Sequence, residues 1–175
     1  MARYNAGSIR RCGIRQPKKG ASMRRKDREQ SEEFGWNVLE TCPYAVLSTT
    51  DEAGLPYSIP VSPAVLDGAV CFHSAKHGTK SKLLREHPDV CLVGVRDVVP
   101  LPEEFATEYA STVVRGTIAE VTDEAERIAA LRAIVERYAA ENLEHFEAAL
   151  AEELSRTLVW KITPVEITAK ARLHA

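Results

Sequence analysis

A chain of 175 residues with 45 % hydrophobic content holds one ordinary domain around a single core, and two independent domains would be cramped. Its 23 Lys/Arg and 25 Asp/Glu nearly cancel, yet ten of the bases and only two of the acids fall within residues 1–30, so the basic character belongs to that end. No run approaches the roughly 18 apolar residues of a membrane span, no secretory apolar segment is present, and four scattered cysteines without a CxxC pair argue against a zinc site or a disulfide framework, so a cytoplasmic protein is expected.

Residues 1–22 mix Gly, Ser, Asn, Pro and Lys/Arg with no hydrophobic period, which predicts a flexible basic tail. The domain is expected over 23–175, with Met23 a candidate natural start. The tail lacks interleaved aromatics and a repeat, so nucleic acid is not the expected partner. Over 26–41, early charge followed by Phe34, Val38 and Leu39 at helical spacing predicts a helix that Cys42-Pro43 stops. A strand is expected over 44–50, a turn at DEAGL (51–55), a return strand over 56–65, a second turn at Asp67-Gly68 and a third strand over 69–74.

A short helix with Leu83 and Leu84 precedes Pro88, and VCLVGV (90–95) reads as the fourth strand. Prolines and acids over 97–110 predict a loop, after which 111–121 returns to strand. Thr122-Asp123 caps a helix over 124–138, with Ile128, Leu131, Ile134, Val135 and Tyr138 on one buried stripe. A shorter acidic helix over 141–154 and a last strand over 158–171 complete the chain, with Pro164 demanding a bulge or an edge position. The expected fold is mainly β with flanking helices, a six-stranded antiparallel barrel closed by hairpins.

Four segments taken in order, MRRKDRE (23–29), GLPYSIPVSP (54–63), DGAVCFHSAKHGTKSKLL (67–84) and Tyr109-x-Ser111-x-Val113, resemble the nitroimidazole-resistance branch of the pyridoxamine-phosphate-oxidase-like split barrels. The resemblance runs from Met23 to about Arg172, and FHSAxxGxKxxxL is its most specific element. It implies a homodimer that binds FMN between its subunits. It also implies an FMN-dependent oxidoreductase acting on a small planar acceptor such as a nitro-aromatic compound. A flavin-binding module without turnover, serving storage or sensing, is the alternative from another class, and a haem- or deazaflavin-binding barrel is a third.

The residues carry part of this independently. A strand ending at His73-Ser74-Ala75 and entering a helix at Gly78 offers free N–H groups to an anion, with Lys76 and Lys80 adding charge and Ser74 or Thr79 adding a hydroxyl. Without the resemblance, such a loop is an ordinary solvated basic turn. The resemblance assigns Ser74, Lys76 and Lys80 to the FMN phosphate. It places Ile59, Pro60, Val61 and Ser62 beside the flavin ring, and brings Ser111 and Val113 from the partner subunit. His73, at the strand end with an imidazole that titrates near neutrality, is the candidate catalytic residue, or else a holder of phosphate or a backbone carbonyl. His77, His87, His145 and His174 fit exposed positions. The sequence lacks the Arg-Leu-His-Asp-Arg segment of true pyridoxamine-phosphate oxidases, and carries Ala169-Lys170-Ala171 where relatives commonly have Gly-Lys-Ala.

Overall fold

The computed structural model describes residues 23–173; the basic segment 1–22 and His174 lie outside them. After a 3-10 turn at Lys26–Arg28 come strand β1 (Glu29–Gln30), helix α1 (Glu32–Thr41), β2 (Ala45–Thr50), β3 (Pro56–Val61), β4 (Ala64–Leu66) and β5 (Ala69–Ala75). Then follow α2 (Thr79–Glu86), β6 (Asp89–Leu101), β7 (Ala106–Glu120), α3 (Glu124–Tyr138), α4 (Phe146–Glu153) and β8 (Thr157–Arg172). All strand pairs are antiparallel, in the order β3-β2-β6-β7-β8-β5-β4, with β1 added to β8. The split-barrel class is as expected, but the sheet has eight strands rather than six and its two edges, β3 and β4, do not pair.

The departures have local causes. The expected strand 56–65 divides because Pro63 interrupts it, leaving β3 and β4 to pair with different neighbours. The amino-terminal helix begins at Glu32 rather than 26, because Ser31 caps it, its hydroxyl accepting from Phe34 N–H at 3.1 Å, and the preceding residues pair with β8. The expected loop 97–110 is instead mostly strand. β6 and β7 continue as a long hairpin past a register shift at 96–99, where Asp97 takes φ 54°, and turn at Pro102–Glu104. Pro100 is tolerated there because this arm has no third strand.

Other expectations hold. Asp51 accepts from Ala53 N–H and Leu55 N–H at 2.9 and 2.8 Å in the first turn, and Asp67 and Gly68, both at positive φ, make the second. Asp123 caps α3 by accepting from Glu126 N–H at 2.9 Å. The bulge required by Pro164 falls beside it: Gly116 pairs with Pro164 and Arg115 with Glu166, skipping Val165. A side chain at Gly116 would collide with the Thr163 carbonyl, so the bulge also dictates a glycine.

Inside the barrel, Leu39, Leu47, Val70, Phe72, Leu84, Leu92, Val114, Trp160 and Ile162 form the main core. A second, smaller core lies outside it, where α3 packs Ala130 and Leu131 over Cys71 and Val159. Among the described residues, no helix is long and apolar enough to cross a membrane.

Candidate functional site

Strand β5 carries an alternation that sorts its end residues. Val70 and Phe72 belong to the main core and Ser74 is buried with them, whereas Cys71 lies under α3 and His73 is exposed. Ser74 does not offer its hydroxyl to the following loop. It donates to the Ala75 carbonyl at 3.0 Å and accepts from Trp160 Nε1–H at 2.9 Å, inside the barrel. Ser81 likewise turns inward and donates to the Ala75 carbonyl at 2.9 Å. Ser74, expected to contact an anion, thus ties the end of β5 to Trp160 of β8.

The loop itself is open. Gly78 takes φ 125°, a conformation unfavourable to other residues, and starts α2 with no side-chain cap, so the first-turn N–H groups lack side-chain acceptors. Around it a shallow depression of about 230 Å³ is lined by Lys76, His77, Gly78, Ser81 and Lys82 among others. The cations near it differ in their pairing. Lys82 meets Glu52 at 2.7 Å and Arg85 meets Glu120 at 2.7 Å, while Lys76 and Lys80 have no carboxylate at ion-pair distance among the described residues. Lys80 is half-buried, and burial lowers its pKa from the ordinary value. Partial burial of the imidazole, reinforced by the Lys80 charge, lowers the pKa of His73 too, so the ring is neutral at pH 7.

The second motif meets this one through the β3–β4 junction. Ile59 and Val61 pack toward the core, while Pro60 and Ser62 are exposed. In the β4–β5 register Ala64 faces Cys71, so the β3–β4 junction leads directly into the strand that pairs with β5. The junction is held from behind by the end of α3. Arg137 donates to the Pro63 carbonyl and, at 2.6 Å, to the Cys42 carbonyl; Tyr138 O–H donates to the Pro63 carbonyl at 3.0 Å. Burial raises the Tyr138 pKa to about 12, so it remains a donor. Sequence reading placed Tyr138 in a helix stripe and missed Arg137 altogether. No local signal marks an arginine whose acceptors lie 74 and 95 positions away.

Ser111 and Val113 stand elsewhere. Pro60, Val46, Val93, Val113 and Thr168 form one cross-strand row on the outer face of the sheet. Three strand spacings, roughly 14 Å, separate Pro60 from Val113. Within one chain, then, His73, Lys76 and Lys80 share the end of β5 and the start of α2, where the Lys80 charge reaches His73, and Val113 stands in a separate row.

Residues 31–171 match the family model described as pyridoxamine 5'-phosphate oxidase. The chain belongs to that family. No curated protein matches the chain. Among solved structures, the pyridoxamine 5'-phosphate oxidase fold is shared with a protein provisionally assigned to 5-nitroimidazole antibiotic resistance from Bacteroides thetaiotaomicron, at 18 % identity and TM-score 0.67, covering 81 % of this chain and 84 % of that one. The flavocytochrome Anf3 from Azotobacter vinelandii is similar at 23 % identity and TM-score 0.73, covering 87 % and 73 %. A protein named as binding FAD and heme from Mycobacterium smegmatis is similar at 21 % and 0.72, covering 84 % and 74 %. At these identities the likeness is one of fold, and it agrees with the resemblance carried by the four sequence segments.

Proposed function

We propose that this chain is a flavin-dependent oxidoreductase that holds FMN at the β5–α2 loop and acts, as a homodimer, on a small planar acceptor of the nitro-aromatic kind. The observation that carries this is a half-buried lysine, Lys80, with no acid partner among the described residues, beside an uncapped helix start. Such an arrangement is short of a negative charge, and a phosphate supplies it. Lys76, Lys80 and the first-turn N–H groups of α2 hold the phosphate, and Ser74 anchors the loop through Trp160. Pro60, which lacks an N–H, and Ser62 are exposed at the β3–β4 junction and offer their backbone to the ring. The structural neighbours whose names mention flavin support a flavin in this fold.

When bound, flavin supplies the electron transfer, and the protein positions it and excludes water. His73 is neutral at pH 7 and stands at the loop, able to accept or donate one hydrogen bond without adding charge. The dimer is supported by the outer face carrying Val46, Val93 and Val113, which belong to neither core and stay half-buried among the described residues. A second copy on that face brings its own Ser111 and Val113 toward the first copy's loop.

Titration of FMN into the protein, followed by its fluorescence, tests the reading. The wild type quenches and holds FMN, while Lys80→Ala binds about ten- to a hundredfold more weakly, the loss expected for a charge-assisted hydrogen bond. A wild-type protein indifferent to FMN overturns the reading. Flavin that is bound but is neither bleached by NADPH nor, once reduced, reoxidised by a nitro-aromatic acceptor reduces the reading to a binding module.

A further inference from the structure

A second cavity lies at the other end of β8, away from the β5–α2 loop. It is an open cleft of about 500 Å³ lined by Arg25, Asp27, Arg28 and Gln30, by Phe34 of α1, and by Ala171, Arg172 and Leu173. Three of these come from the MRRKDRE segment, for which the FMN site described above has no use. The cavity forms because β1 pairs with β8 for only two residues, Glu29 with Lys170 and Gln30 with Ala169, so the chain ends on either side diverge.

Three guanidinium groups meet one carboxylate among the lining residues. Arg25 grips Asp27 through Nε and Nη2 at 2.8 and 2.5 Å, and its remaining donors stay available. Arg172 gives one donor to Glu104 at 2.7 Å. Arg28, only partly exposed, makes no ion pair or side-chain hydrogen bond among the described residues. The cavity is thus cationic, has planar forks suited to phosphate, and has an aromatic and an aliphatic wall in Phe34 and Leu173. Its volume is in the range of nucleotide-sized ligand sites.

Its position adds to this. Arg172 pairs with Tyr109, and Lys170 with Ser111, so Arg172 stands on the same sheet face as Ser111 and about 7 Å further along. The cavity therefore borders the end of the face proposed to meet the partner's cofactor.

We propose that this cavity binds the pyrophosphate of a dinucleotide, Arg28 and Arg172 forking the phosphates and Phe34 taking a base. Two molecules bring that chemistry, a nicotinamide dinucleotide donor and the dinucleotide flavin, FAD. The choice between them rests on the flavin reading above; the anion site itself does not.

The test is calorimetric titration of the full chain with inorganic pyrophosphate, NADPH, FAD and FMN, for the wild type, Arg28→Ala, Arg28→Glu and Lys80→Ala. Pyrophosphate and one dinucleotide should weaken roughly ten- to a hundredfold in Arg28→Ala, and further in Arg28→Glu, with FMN affinity kept within about twofold. Lys80→Ala should weaken FMN and leave pyrophosphate and NADPH within about twofold. If NADPH weakens, the cavity serves the donor; if FAD does, it serves the cofactor's adenylate half. Equal binding of all four ligands by Arg28→Glu and the wild type overturns the proposal, as does an FMN loss matching that of Lys80→Ala. Thermal melts of Arg28→Ala alongside the wild type separate binding from folding. Should the wild type ignore FMN, the flavin reading fails and the pyrophosphate titration still decides the cavity.

Discussion

The same sheet presents two outer faces, and the chain treats them differently. On the β5–β8 side, α3 lays Ala130 over Cys71 and Val159, and these three are 0–1 % exposed. On the β2–β6–β7 side, Val46, Cys91, Val93 and Val113 are left half-buried with nothing from the described chain above them. Burial raises the Cys71 pKa to about 11 and also raises that of Cys91. The apolar content is alike; what differs is whether a helix among the described residues covers it. A bare row of valines is the kind of surface a second copy covers.

The largest expected effect breaks the covered face. Ala130→Asp buries an unpaired carboxylate and should cost at least about 3 kcal/mol, seen as loss of cooperative melting or a drop in Tm of many degrees. On the bare face, Val93→Asp should change monomer stability by less than about 1 kcal/mol, since the position is already partly wet. It should instead convert a dimer to a monomer in sedimentation velocity and weaken FMN binding with it. Equal losses of melting stability from the two variants would erase the distinction between the faces.

A smaller effect is one of pH. The folded protein holds His73 below its ordinary value, so the unfolded chain takes up this proton first as pH falls. Its contribution to stability is intact above about 6.5 and is lost as pH drops from there through the folded pKa. Denaturant titrations of wild type and His73→Gln should diverge only in that window. Adding FMN should narrow the gap, because a phosphate beside Lys80 favours the protonated ring. Smallest is Glu126→Gln, which removes the 2.5 Å pair with Lys161 on the rim of the covered face. Both side chains are 40 % exposed, and the variant should shift stability by less than about 1 kcal/mol in a thermal melt.

What could be read without coordinates was whatever depends on neighbours in sequence. Asp51 and Asp67-Gly68 mark their turns because a side-chain oxygen and a positive φ act within a few residues. Asp123 marks its helix in the same way, and Pro164 announces a bulge because a missing N–H disrupts the ladder at its own position. The β5–α2 loop was legible as a Gly/Lys stretch, but the inward turn of Ser74 was not, since its partner Trp160 is 86 residues away. The hairpin over 97–110 was hidden because its prolines signal a loop wherever a third strand is assumed.

By itself the sequence determined the mainly antiparallel class, the turns at Asp51 and Asp67-Gly68, the Asp123 cap, and the family to which the chain belongs, all matters of local backbone preference and motif. Only the tertiary structure decided that Arg137 clamps the β3–β4 junction, that Ser74 turns inward to Trp160, and that MRRKDRE lines a cleft with the end of β8. Those depend on strand register, which a one-residue slip would reverse and which no short stretch of chain encodes.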